Sequence, residues 1–439
     1  MSGSITGPGV PVVGTPTPIA GGSFDFVLGN VNVAADGIAN NDTIVVEIVA
    51  RVADIVANVR GSVLTNSGRL LFTTTTETGA LVNTVLASNS SVIIRTPDLA
   101  LAKTVNVPSA DGDDVVIYTL ALTNPATLNT TTAFDIRMID SDLIGLGFTN
   151  IGIVNVTSAG AVNAAATDTA GTITVTADSL AAGGNIIVTF TATVGNTVAA
   201  GSALINTARV TEYSTLPGSQ PGERVIINEP SVTATLPITG VTLTKTLITT
   251  SIDNDANPQV QIGETATFDI VAVLPEGSSP LSIVDLLPSG ANVLNFVSAT
   301  VHSIGGNTSF GAPSGGSLTN SLISVGSAAA INAAGTTATF NFGTITNTPD
   351  GVVGPGDRIV IRVVTLVPDV PANTAADTVV TNTATASFGL GTATAISSLA
   401  IVEPVITVQK TVPAGVVDAG RGLPIRCSSR TPAPVSPMA

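Results

Sequence analysis

The densest run of metal-type ligands in the chain is DNDANPQVQIGE, Asp253–Glu264. Asp253, Asp255, Asn257 and Glu264 stand at positions one, three, five and twelve of a loop, the spacing at which a calcium loop offers its oxygens. Two features weigh against calcium: Pro258 replaces the turn glycine, and the flanks read as strands. A plain inter-strand loop is the better reading, calcium is the weaker one, and no other cofactor is expected. Asp111, Asp113 and Asp114 form a second acidic loop with the same two readings.

Other reactive groups are scarce. His302 is the only histidine and Cys427 the only cysteine, so the chain has neither a disulfide framework nor a structural zinc set. His302 lies among Gly and Ser with no evident partner, which suggests a surface loop. Two carboxylates would suffice for glycoside hydrolysis, but acids that recur with each repeat point to scaffold duty. Leu236-Pro237-Ile238-Thr239-Gly240 matches a sortase sorting pattern, yet it sits mid-chain with no apolar segment and basic tail after it, so coincidence is the better account. With 30 acidic against 15 basic residues the net charge is −15, which repels phosphate backbones and excludes nucleic acid as a partner. Mean hydropathy is +0.51. Even so, no run of about 18 apolar residues is present to span a bilayer as a helix.

The elements that must carry these residues are short strands. Thr, Ala, Val, Ser, Gly and Asn dominate and aromatics make up 3% of the chain, a composition suited to strands and turns. Ile44, Val46, Ile48, Ala50 and Val52 fall on one face with Glu47 and Arg51 on the other, and Ile186, Val188, Phe190, Ala192 and Val194 fall opposite Asn185, Thr189 and Thr191. Val116, Tyr118, Leu120 and Leu122 form another such face, as do Ala266, Phe268, Ile270, Ala272 and Leu274, and Ile359, Ile361 and Val363. A period of two with one apolar face predicts antiparallel sandwich strands; a parallel strand covered on both faces would be apolar throughout.

The same order of signals appears in Pro97–Asn206 and again in Val241–Phe388, so one module is used repeatedly. Matching lysines stand at 103, 245 and 410, and matching asparagines at 66, 206 and 382. The expected organisation is a Gly/Pro/Thr-rich segment at 1–23, the back half of a module at 24–96, complete modules at 97–236 and 237–403, and a first strand plus tail at 404–439. Asn228–Gly240 and Val402–Pro404 read as stiff linkers between beads. Met1–Gly22 does not read as a signal peptide. After Gly420 the next strand of a module is expected to be missing, and Arg421–Ala439 departs from every repeat and reads as foreign to the array, as a frame change or truncation would leave it.

These residues together resemble the bacterial cell-surface conserved-repeat modules known as domain of unknown function eleven, and the related isopeptide-forming fimbrial and adhesin domains. The pattern is a strand ending in Lys-Thr, an acid before an aromatic strand, an Asp before a Leu-Pro-like turn, and a closing Asn-Thr-Ala. It falls on Lys103, Asp113, Tyr118, Asp140 and Asn206, and on Lys245, Gly263-Glu264, Phe268, Asp285 and Asn382. The first copy departs from it, with Asp140-Ser141-Asp142 in place of Leu-Pro and Gly112-Asp113-Asp114 where one acid suffices. The resemblance implies an all-β chain of tandem immunoglobulin-like antiparallel β-sandwich modules, non-enzymatic, extracellular or on the cell surface, serving as stalk, fimbrial or adhesin segment. Its partners would be an extracellular protein or glycan, or further repeats.

The resemblance also implies a self-cross-link. Burial yields a neutral lysine amine, a protonated Asp polarises the Asn carboxamide, and ammonia leaves. The candidate sets are Lys103, Asp140, Asn206 and Lys245, Asp285, Asn382, tying first strand to last. Against them stands the plainer reading of exposed lysines, turn-capping aspartates and asparagines in bulges or turns. A ligand-binding β-sandwich module is the alternative function, and an accessory part of a polysaccharide hydrolase a third; with no Trp and two Tyr the sugar-stacking version is poorly equipped.

Overall fold

The computed structural model describes residues 2–6, 17–19, 23–31, 37–38, 43–75, 81–252, 258–288, 293–311, 323–374, 378–402, 407–412, 415, 419–422 and 425–430. Among them there is no α-helix. The architecture is all-β, with immunoglobulin-like antiparallel sandwiches at its centre. No helix is long and apolar enough to cross a membrane among the described residues.

The first sandwich is built from β1 (Ala100–Val105), β2 (Val115–Asn124), β3 (Ala133–Asp140), β4 (Phe148–Val162), β5 (Thr172–Val194), β6 (Ala203–Ser214) and β7 (Ser231–Pro237). The 23-residue β5 serves both layers. Its first part, Ile173–Leu180, pairs with β3, while Gly184–Thr193 pairs with β2 and runs beside β4. The changeover falls at Gly183-Gly184. Gly183 has φ +84, and a Cβ on Gly184 would stand 2.7 Å from the Ala159 carbonyl oxygen, so a side chain cannot be placed there without a shift.

The second sandwich uses separate strands. β8 (Thr242–Thr250), β9 (Thr265–Val273), β13 (Arg358–Leu366) and β11 (Asn295–Ile304) form one sheet, in that order. The other runs β15 (Gly391–Ile401), β14 (Thr378–Phe388), β10 (Gly277–Leu286), β12 (Thr337–Asn347). All these pairings are antiparallel, and the short Gln259–Val260 strand adds a parallel pair at the β15 edge.

The alternation expected from sequence fills two separate cores. Tyr118, Leu120, Leu122, Ile186, Val188 and Phe190 are fully buried in one, and Phe268, Ile270, Phe340, Phe342, Ile359 and Ile361 in the other. Stacking of Tyr118 on Phe190, with centroids 5.4 Å apart, joins adjacent strands of the first core.

Three expectations are corrected. Asn228–Gly240 is not a free linker: Ser231–Pro237 is β7, paired with β6 from Arg209 to Ala203, because Ala234 and Leu236 have an apolar slot to fill. Val46, Ile48 and Val52 carry the right alternation but are exposed, since among the described residues Val45–Val49 pairs with Ser2–Thr6 alone and no second layer covers it. In the tail, Arg426–Arg430 does form a strand, against Thr407–Thr411.

The sandwiches are docked end to end by backbone hydrogen bonds. Gly112 N–H donates to Glu276 O at 3.1 Å, Ser278 N–H to Asn196 O at 2.7 Å and Leu390 N–H to Ala200 O at 3.2 Å. Phe388 closes the seam against Gly240, where a Cβ would lie 2.7 Å from its ring.

Candidate functional site

Each sandwich buries a lysine, an aspartate and an asparagine between its sheets. In the first, Lys103 projects inward from β1 opposite Leu120 of β2. Asp140 ends β3 and Ala208 of β6 lies opposite it, which places Asn206, two residues back, on the same face as Asp140. The second copy repeats this register: Lys245 lies opposite Ile270, and Asp285 of β10 lies opposite Ala384 of β14, two residues beyond Asn382. The lysine therefore comes from one sheet, and both other groups come from the facing one.

Lys103 Nζ donates to Asp140 Oδ2 at 2.6 Å, with both side chains wholly buried. Lys245 makes the same bond to Asp285 Oδ1. Asn382 Nδ2 donates to Asp285 Oδ2 at 3.3 Å, leaving Asn382 Oδ1 without a partner. Asn206 sits close enough to Asp140 to favour its carboxylate, yet neither side-chain atom of Asn206 completes a hydrogen bond, and Asp140 Oδ1 is likewise unpartnered.

An aromatic ring lies under each ammonium. Lys103 Nζ is 5.3 Å from the Tyr118 ring centroid, and Lys245 Nζ is 5.3 Å from that of Phe268. Sequence alone marks both rings as core. Their diagonal placement follows from register, because Tyr118 pairs with Val105 two residues beyond Lys103, and Phe268 with Leu247 two beyond Lys245.

Burial acts on both members of each pair. It lowers the Lys103 and Lys245 amines to about 8, with the facing aspartate offsetting part of the effect. It pushes the Asp140 and Asp285 carboxyls up, against the pull of the lysine. Desolvating two ions costs several kcal/mol each, and moving one proton from lysine to aspartate removes both charges. Both shifts lower the cost of passing a proton from lysine to aspartate, which would set a neutral amine beside a protonated carboxyl, next to a carboxamide.

The other sequence candidates fare differently. Glu264 is buried, and its oxygens accept from Ile252 N–H at 3.0 Å and Gln261 N–H at 2.8 Å, tying the ends of its loop together. Asp253, Asp255 and Asn257 lie outside the described residues. Asp111 and Asp114 meet Glu276 of the second sandwich, with ligand oxygens all within 4.8 Å, while Asp113 is exposed at φ 71. His302 is not in a loop but exposed on β11, because the Gly-rich stretch begins only after that strand. Leu236 of the sortase-like pentapeptide is fully buried and Ile238 bridges to Ala110. Asn66 and Lys410, the unmatched members of the repeat, are both exposed.

No protein-family model matches the chain, and no curated protein sequence does. Solved structures similar to it include a D312A variant of BcpA, the major pilin subunit of Bacillus cereus, at 10% identity and TM-score 0.25, over 64% of this chain and 64% of that one. The fimbrial adhesin FimA of Actinomyces matches at 12% identity and TM-score 0.22, over 76% of this chain and 96% of that one. The collagen adhesin CNA of S. aureus matches at 10% identity and TM-score 0.18, over 71% and 98%.

Proposed function

We propose that the chain is a structural or adhesive repeat segment of a bacterial cell-surface or secreted protein, of the conserved-repeat type its motifs resemble, and that each complete module closes its own Lys–Asn isopeptide bond. The observation that carries this is the buried Lys–Asp–Asn set, built in the same register in both sandwiches. A buried ion pair is an expensive way to stabilise a core. Making it twice beside a buried asparagine supports a chemical use. The chain acts on itself rather than turning over an external substrate, and its partners are an extracellular protein or glycan, or neighbouring repeats.

The step balances as follows. Lys103 passes one proton to Asp140 and becomes a neutral nucleophile. Its Nζ attacks Asn206 Cγ, whose carbonyl is polarised by the protonated Asp140. The Nζ–Cγ bond forms, the Cγ–Nδ2 bond breaks, and Nδ2 leaves as ammonia after taking a proton from the carboxyl. The attacking nitrogen returns a proton to Asp140, leaving an amide and a neutral acid. Lys245, Asp285 and Asn382 run the same sequence.

Intact mass of the purified full chain tests this. The expected result is a deficit of two ammonias against the sequence mass, falling to one in Asn206→Ala and one in Asn382→Ala. A wild-type mass equal to the sequence mass ends the cross-linking proposal.

A further inference from the structure

Resting on that reading, we propose that Tyr118 is a catalytic residue of the first module: its hydroxyl donates a hydrogen bond to Asn206 Oδ1 as the carboxamide becomes tetrahedral, so the first module closes faster than the second. The two sites match in Lys, Asp, Asn and the register that holds them. At the aromatic position they differ by one oxygen atom, Tyr118 against Phe268, and both rings are fully buried with a lysine 5.3 Å above them.

That oxygen is out of place in a resting core. The Tyr118 hydroxyl is sealed from solvent and has no hydrogen-bond partner, and neither does the Asn206 carboxamide beside it. An unpaired buried hydroxyl costs about 1–3 kcal/mol, whereas phenylalanine would fill the same space at no such cost. The Tyr118 ring lies 5.3 Å from Lys103 Nζ, which is bonded to Asp140, and Asn206 shares the Asp140 face, so phenol, amine and carboxamide converge on one buried point. Attack by Lys103 places negative charge on Oδ1, and a preplaced donor gains most when charge develops in a dry site. Burial first and the Asp140 charge second push the phenol up, so it stays protonated and donates without giving up its proton. The stoichiometry is unchanged: Asp140 still carries the proton and ammonia still leaves. In the second module Asn382 Oδ1 is also unpartnered, but Phe268 has nothing to offer it.

The test follows ammonia loss in freshly synthesised full chain by intact mass, with peptide mapping to assign each bond to its module. Wild type is expected to close the first module ahead of the second. Tyr118→Phe should slow the first bond by about 10–100-fold and leave the second unchanged. Phe268→Tyr should speed the second. The Tyr118→Phe rate–pH profile should drop in height while its limbs, set by Lys103 and Asp140, stay in place; a packing effect would move the limbs through altered desolvation. A Tyr118→Phe first-bond rate within about threefold of wild type overturns the role of Tyr118 while leaving the cross-link intact. Absence of ammonia loss from either module of wild type would instead take down the cross-linking reading itself.

Discussion

Asn206→Ala is the sharpest perturbation of the first module, because it removes the acceptor of the bond and leaves the Lys103–Asp140 pair whole. Replacing Lys103 or Asp140 would strand a buried charge and cost about 3–5 kcal/mol whether or not a cross-link exists. A bond from Lys103 to Asn206 closes a loop of roughly 100 residues, and the chain-entropy relation for a covalent loop of that length gives about 4.7 kcal/mol. A domain of this size loses about 3–4 °C in melting temperature per kcal/mol, so the first-module transition should fall by roughly 15–20 °C. Scanning calorimetry of the full chain reads this, with Asn382→Ala identifying the second transition and intact mass confirming which bond is missing. If the mass shows the first bond gone while its transition stays within about 3 °C, the entropic argument is wrong.

Two further predictions concern the seam between modules. Burial raises Asp111 to about 6, helped by the charges of Asp114 and Glu276 facing it and opposed by the hydrogen bond from Glu276 N–H. A raised acid binds more protons docked than undocked. Docking is therefore strongest below the ordinary carboxylate value and weakens as pH rises through about 6; amide exchange at Ser278 should quicken over that range and lose part of the dependence in Asp111→Asn. Gly112→Ala would set a Cβ 2.9 Å from the Gly277 Cα, so the same exchange should rise at least tenfold while both module cores keep their protection, a cost of roughly 1–3 kcal/mol confined to the joint.

Much of this was legible because strand side chains alternate. Val116, Tyr118, Leu120 and Leu122 could be assigned to the core from their spacing alone, and they are buried. The lysine, aspartate and asparagine were legible as repeated positions in a familiar pattern, but their convergence depends on residues far apart in sequence coming into register. Alternation names the apolar face of a strand without saying what will cover it. That is why Val46 and Ile48 looked like core yet are exposed, and why β7 looked like a linker. It also says nothing of corners: one long β5 and the β12–β13 pair have similar alternation and different topology. The contact of Asp111 with Glu276 had no local signal at all, since it arises from docking.

The register also corrects where the cross-link would act under load. From sequence the bond ties first strand to last, but Asn206 lies on β6, and β7 follows it. Tension entering at Lys103 would pass through the covalent bond to Asn206, then along the chain to Lys245 and its own bond. Between the two bonds, only Thr207–Thr244, about 38 residues, lies outside a closed loop. Its strand β7 is held to β6 by hydrogen bonds that pulling can break. Fully extended, that stretch reaches about 130 Å at roughly 3.5 Å per residue. Single-molecule stretching of the full chain should therefore show the joint and β7 yielding, with a gain no larger than this between the two bonds. In Asn206→Ala the residues from 104 onward are freed as well, adding roughly 360 Å. Equal contour gains in wild type and variant would mean that force does not travel through Lys103 and Asn206.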